Sequence, residues 1–143
     1  MHLQIALRIV GSLLMMFSLT MLVPLLWSFY FNDGVAVVFV NAFAYTFCSG
    51  FLLWLVFQRY QAEMRIKDGF LVTVMFYLAL GAFGSIPFAN TDGIGLSAAD
   101  ALFESFSGLT TTGATVITGL DELPRSILFY RQQLQWLGGM GII

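Results

Sequence analysis

Apolar residues in this chain run in long blocks, without the polar interruption every second or fourth position that marks a water-facing element. Three blocks are long enough to cross a bilayer, which takes roughly 20 residues: Ile9 to Phe31 and Val35 to Phe57, about 23 each, and Phe70 to Ala89, about 20. The first outruns the roughly 7–15 apolar residues of a secretion signal, and no small-residue cleavage pattern follows it, so a retained helix is predicted. Asn32-Asp33-Gly34 has the chemistry of a tight reversal, which makes the first two blocks a helical hairpin. Pro24 and Pro87 fall near helix ends, and Gly81 and Gly84 offer close helix approach in the third block.

After Ala89 the pattern changes. A turn-rich stretch, Asn90 to Gly95, leads to Ser97, which reads as a helix N-cap with Asp100 as an acidic variant of the capping box. From Ala98 the apolar positions Ala101, Leu102, Phe103, Phe106 and Leu109 follow helical spacing. A helix of about 11 residues at 1.5 Å each reaches roughly 16 Å, half the hydrocarbon core, so it enters without spanning. It runs into Thr110-Thr111-Thr112-Gly113-Ala114-Thr115, a polar loop in an otherwise greasy chain. The last stretch, Ile127 to Ile143, begins amphipathic with Arg131, Gln132, Gln133 and Gln135 and ends apolar; Tyr130 and Trp136 suit an interfacial belt.

Composition agrees with this pattern. Of 143 residues, 59% are hydrophobic and 10% charged, with mean hydropathy +0.86, against about 25% charge in soluble domains. The fold class expected is therefore an all-α polytopic membrane protein, with a hairpin of two transmembrane helices, a third span and a re-entrant half-length helix. A net charge of −2 with six Lys plus Arg excludes a basic nucleic-acid surface. Cys48 is expected to be a small buried packing residue. His2 lacks any ligand constellation, and no acid pair or nucleophile with a base is spaced for catalysis, so a membrane enzyme is the weakest class.

The charges also give a direction. Arg59, Arg65 and Lys67 lie between the second and third blocks, and Arg8 precedes the first, which puts that loop and the N-terminus in the cytoplasm. Asp33, Asp92, Asp121 and Glu122 then face the other side, balanced by Arg125 and Arg131, where an acidic mouth raises local cation concentration.

Irregular backbone at membrane depth is tolerated only where it is buried in protein or lines a watery cavity. A re-entrant helix from the acidic side aims its partly negative C-terminus inward, favouring a dehydrated cation. An extended Thr111-Thr112-Gly113-Ala114 would present successive carbonyls, as potassium filters do. Gly113 would supply the backbone freedom that this requires, and the threonine hydroxyls would stiffen the loop. The plainer alternative is an external turn in which Thr110 closes one helix and Thr115 starts the next. Glu104 either reaches towards the mouth or pairs with Arg125 or Arg131, the pairing being favoured; Asp100 is expected to cap rather than to bind an ion.

The run Phe103-Glu104-Ser105-Phe106-Ser107-Gly108-Leu109-Thr110-Thr111-Thr112-Gly113-Ala114-Thr115 is followed by Gly119 to Pro124, Leu128 to Gln132 and Gln135 to Ile142. Together with Lys67 to Leu71 upstream, it strongly resembles the membrane subunit of the bacterial Trk potassium-uptake system. The resemblance covers essentially the whole chain. It implies four helix–pore–helix repeats around one ion path, preceded by two extra helices, here Ile9–Phe31 and Val35–Phe57. It makes Phe70–Ala89 the first outer helix, Ala98–Leu109 the first pore helix, and Leu134 onward the second helix of the repeat, so that residues 1–60 are the N-terminal transmembrane hairpin and residues 61–143 a helix–pore loop–helix repeat that stops at the start of its last helix. It places the potassium filter on Thr111, Thr112, Gly113 and Ala114, with ion contacts most clearly at Thr111 and Thr112.

The resemblance further implies K+ as the transported ion with no organic cofactor, uptake usually described as proton-coupled, and a bacterial inner-membrane location in contact with lipid. Its implied partners are a second copy in a homodimer and a cytoplasmic nucleotide-binding regulatory ring of the TrkA type. Three of the four repeats are missing, so the chain is expected to be an N-terminal fragment. The competing expectation is a non-transporting membrane scaffold or the remnant of a disrupted transporter gene.

Overall fold

The computed structural model describes residues 2–141, and its regular structure is helical: α1 (Leu3–Thr20), α2 (Leu22–Phe31), α3 (Ala36–Phe57), α4 (Ile66–Gly84), α5 (Ile86–Asn90), α6 (Ala98–Leu109), a 3-10 turn (Leu120–Glu122) and α7 (Arg125–Met140). Three stretches are long and apolar enough to cross a membrane: Leu3–Phe31, Ala36–Phe57 and Ile66–Asn90. The all-helical membrane architecture expected from the sequence is thus what forms. Ile142 and Ile143, the end of the last apolar run, lie outside the described residues.

The spans differ from the sequence reading at their ends and at two breaks. The first helix starts at Leu3 rather than Ile9, because Arg8 is no obstacle: its Nη1 donates to the Tyr60 carbonyl at 3.3 Å. It then breaks at Met21, three residues before Pro24. Proline has no N–H to offer the carbonyl four residues back, which here belongs to Thr20. Gln133 of α7 fills that gap, its Nε2 donating to the Thr20 carbonyl at 2.8 Å. The third span starts at Ile66 rather than Phe70 and breaks at Ser85, ahead of Pro87. Tyr130, also on α7, donates its hydroxyl to the Gly84 carbonyl at 2.7 Å. Tyr130 is buried and so belongs to no interfacial belt; Trp136 is exposed.

Asn32 and Gly34 both adopt left-handed backbone (φ 51° and 78°), so the reversal expected between α2 and α3 is made. Asp33 within it does something else. Its carboxylate accepts the Ser28 hydroxyl (2.5 Å), the Val35 amide (3.3 Å), and both the amide (3.2 Å) and the hydroxyl (2.5 Å) of Ser126 in the first turn of α7. It therefore caps α7 from a distant loop and is not a free member of an acidic mouth. This is why α7 starts at Arg125 and runs unbroken through Leu134, where the family resemblance placed the start of a helix. Asp68 plays the matching part at the opposite end, taking the amides of His2 (3.0 Å) and Arg65 (3.1 Å) and so starting α4 early.

Packing uses small residues, as expected where lipid supplies no hydrophobic drive between helices. A Cβ on Gly11 or Gly50 would meet the other glycine's carbonyl at 2.7 Å, which fixes how closely α1 crosses α3. Gly81 accommodates the Phe106 ring, so the close approach read from the sequence is used. One core draws on helices from both ends of the chain: Phe17, Phe39, Leu80, Phe88, Leu109, Tyr130 and Leu134 share it. Cys48, expected inside, is exposed, because the buried face of α3 is carried by Phe39, Ala42, Thr46 and Gly50.

Candidate functional site

Helix α6 is capped at its start as the sequence indicated: the Asp100 amide donates to the Ser97 hydroxyl (3.2 Å), and the Ser97 amide to the Asp100 carboxylate (3.4 Å). Its 12 residues reach about 18 Å, too short to span. Its C-terminal half lies against α7. A Cβ on Gly108 would meet Leu134 Cβ at 3.1 Å, and one on Gly138 would overlap the Leu109 carbonyl.

The helix ends in a Schellman pair. The Thr111 amide returns to the Gly108 carbonyl and the Thr112 amide to the Ser107 carbonyl, both at 3.0 Å. The left-handed position of that motif usually takes glycine; here it is Thr111, with φ 58°. A β-branched residue in that region is strained and persists only where its surroundings impose it. Gly113 is also left-handed (φ 75°). The run from Thr111 to Ala114 is therefore not the evenly extended segment expected. It is a turn, a residue, and a second left-handed step.

All four of these residues are exposed, with Gln135 beside Gly113. The loop is held from behind. Glu104 is 1% exposed, and its Oε1 accepts the Thr115 hydroxyl (2.5 Å) and the Val116 amide (2.7 Å). Its Oε2 accepts Arg131 Nε at 3.2 Å. Arg131 Nη2 donates to the Gly113 carbonyl at 3.1 Å, and the Ser107 hydroxyl to the Ala114 carbonyl at 2.6 Å. Thr110 and Thr112 join hydroxyls at 2.8 Å, and the Thr111 hydroxyl donates to the Thr110 carbonyl at 2.7 Å.

Of the two readings for Glu104, the geometry gives the pairing, and with Arg131; Arg125 instead lies over the Phe31 ring, 4.9 Å from its centroid. Thr110 does close α6, while Thr115 starts no helix. Sequence pattern singled out Glu104 and Arg131 but not what they hold. Ser107 escaped it altogether, since a serine inside a helix carries no positional signal until the loop folds back over it.

The matched family model is "TrkH: Cation transport protein", over residues 36–143. The chain belongs to the TrkH family. It is accordingly a membrane protein of a transport family and not an enzyme. Among its relatives, the Trk system potassium uptake protein TrkH of Halomonas elongata is 57% identical over 143 residues, all of this chain and 30% of that protein. The TrkH protein of Escherichia coli K12 is 47% identical over the same span. The crystal structure of the potassium transporter TrkH from Vibrio parahaemolyticus superimposes with a TM-score of 0.93 at 52% identity, covering 99% of this chain and 30% of that one. The chain thus spans 30% of the length of these TrkH relatives.

Proposed function

We propose that this chain forms part of a potassium-uptake pathway in a bacterial inner membrane, contributing one quarter of its selectivity filter through Thr111, Thr112, Gly113 and Ala114. The observation that carries this reading is the capped half-length helix whose C-terminus opens into an exposed loop braced from behind by a buried ion pair. Its relatives are named as potassium uptake proteins or transporters. The dipole of α6 presents partial negative charge at the loop, and exposed carbonyls there can replace an ion's hydration shell.

In this reading residues 1–60 are a supporting hairpin and residues 61–143 the pore-forming repeat. The N-terminus and the Arg59–Lys67 loop face the cytoplasm, and α6 enters from outside. The complete assembly is a homodimer in contact with membrane lipid, regulated by a cytoplasmic nucleotide-binding ring, and moves K+ in a proton-coupled manner.

The test is to graft this chain into the Halomonas elongata relative in place of its matched segment and to measure K+ and Na+ uptake in a strain lacking potassium uptake. Gly113→Ser introduces a side chain with open space around it but with unfavourable backbone at φ 75°. It is expected to lower the K+ to Na+ uptake ratio while the protein still inserts. An unchanged ratio would remove the filter assignment.

A further inference from the structure

The four carbonyls of the loop are not equivalent. The Gly113 oxygen accepts from Arg131 and the Ala114 oxygen from Ser107, whereas those of Thr111 and Thr112 accept no hydrogen bond among the described residues. Arg131 is 8% exposed and Glu104 1%, so this is a buried ion pair and not a rim contact. The pair clamps the loop on both sides of Ala114, through the Gly113 carbonyl and through the Thr115 hydroxyl and Val116 amide. A planar guanidinium suits both roles at once, with Nε engaging the carboxylate while Nη2 engages the carbonyl. An oxygen already facing a full positive charge is a poor ligand for a second cation.

From this we infer that Arg131 is a positioning residue for cation discrimination: together with Ser107 it withdraws the Gly113 and Ala114 carbonyls from the ion-facing set, leaving free those of Thr111 and Thr112, where the family resemblance already places the ion contacts. The inference rests on the loop being the filter proposed above. It deepens that proposal by making this segment contribute fewer ligands than four carbonyls in series. Arg131 and Glu104 act through the loop and touch no ion themselves.

The grafted protein provides the test. Glu104→Gln with Arg131→Gln replaces the ion pair by two amides of similar size, removing the charge at Gly113 without leaving a lone buried charge. The K+ to Na+ uptake ratio and the half-saturation concentration for K+ are expected to change by roughly fivefold or more, the low end of coupling between linked sites. Membrane abundance should stay the same. Arg131→Lys keeps the charge but loses the fork and should fall between the two.

A fall in maximal rate with both the ratio and the half-saturation concentration unchanged would make the pair a brace only and overturn the inference. Should the double variant fail to insert, Ser107→Ala decides, since it deletes a single hydroxyl. A shift in the ratio supports the withdrawal of carbonyls, and no shift overturns it. If Gly113→Ser alters the ratio while these variants do not, the filter stands and the role of Arg131 falls. If none of them alters it, the filter assignment itself falls.

Discussion

Replacing Gly138 by alanine would press a methyl carbon into the Leu109 carbonyl oxygen, 2.5 Å from its carbonyl carbon and 2.8 Å from its Cα. All three are backbone atoms, so no side chain can swing aside. To restore even a tight contact, α6 and α7 must separate by about 1 Å, and Leu109 is the last residue of α6, two positions before strained Thr111. Overpacking of this kind costs about 1–3 kcal/mol. With only backbone in the way the upper end applies; the better helix propensity of alanine returns up to about 1 kcal/mol, leaving a net loss of about 2 kcal/mol and a displaced loop. Gly139→Ala is the matched control: the same helix and the same propensity gain, but its Cβ would lie 3.7 Å from Thr111 Cγ2, an ordinary contact. Thermal unfolding of the purified grafted protein in detergent, followed beside K+ uptake, separates the two. Gly138→Ala should lower the midpoint and the uptake, and Gly139→Ala neither. Equal tolerance of both would show that α6 and α7 do not approach as described.

Three further outcomes follow from particular contacts. Gln133→Leu strands the Thr20 carbonyl and should cost about 1 kcal/mol, the scale of interhelical hydrogen bonds in membranes. Pro24→Ala restores a backbone donor to that carbonyl, so the double variant should recover most of the loss, and additive losses would argue against the pairing. Asp33→Ala removes the cap on α7 and should cost about 1 kcal/mol, visible as faster amide exchange at Ser126 and Ile127. Partial burial raises the Asp33 carboxyl, but hydrogen bonds from Ser126 and Ser28 and the amides of Ser126 and Val35 outweigh it and hold it below its ordinary value. A depressed carboxylate stabilises above its ordinary value and is lost as pH falls through the folded one. The protection factor of amides at the start of α7, exchange corrected for its intrinsic pH dependence, should therefore fall below about pH 4 in the native protein, and Asp33→Asn should abolish that pH step.

The spanning helices and α6 could be read from sequence because their causes are local: apolar length for the spans, and Ser97 with Asp100 for the start of α6. The misses have causes distant in the chain. Asp33 looked like a turn residue facing solution, yet its capping partner is Ser126, 93 positions away. Cys48 looked buried because it sits in a mostly apolar run, but in lipid an apolar neighbourhood does not distinguish the two faces of a helix. The loop Thr111 to Ala114 was visible as a polar interruption. Its shape was not, because the left-handed state of Thr111 depends on Ser107 and Gly108, and the direction of the Gly113 carbonyl on Arg131. Tertiary contacts overrode the preferences of the residues themselves.

Helix α7 donates through Tyr130 and Gln133 to the carbonyls at the two helix breaks, at Gly84 and Thr20. In biosynthesis this imposes an order. The broken helices are made and delivered to the membrane before α7 exists, with each break carrying a carbonyl that lipid cannot satisfy. Until Tyr130 and Gln133 arrive, those carbonyls depend on water or on the insertion machinery, so the bends at Met21 and Ser85 become fixed only when α7 docks. Its arrival is then the step that commits the preceding helices to their native bends.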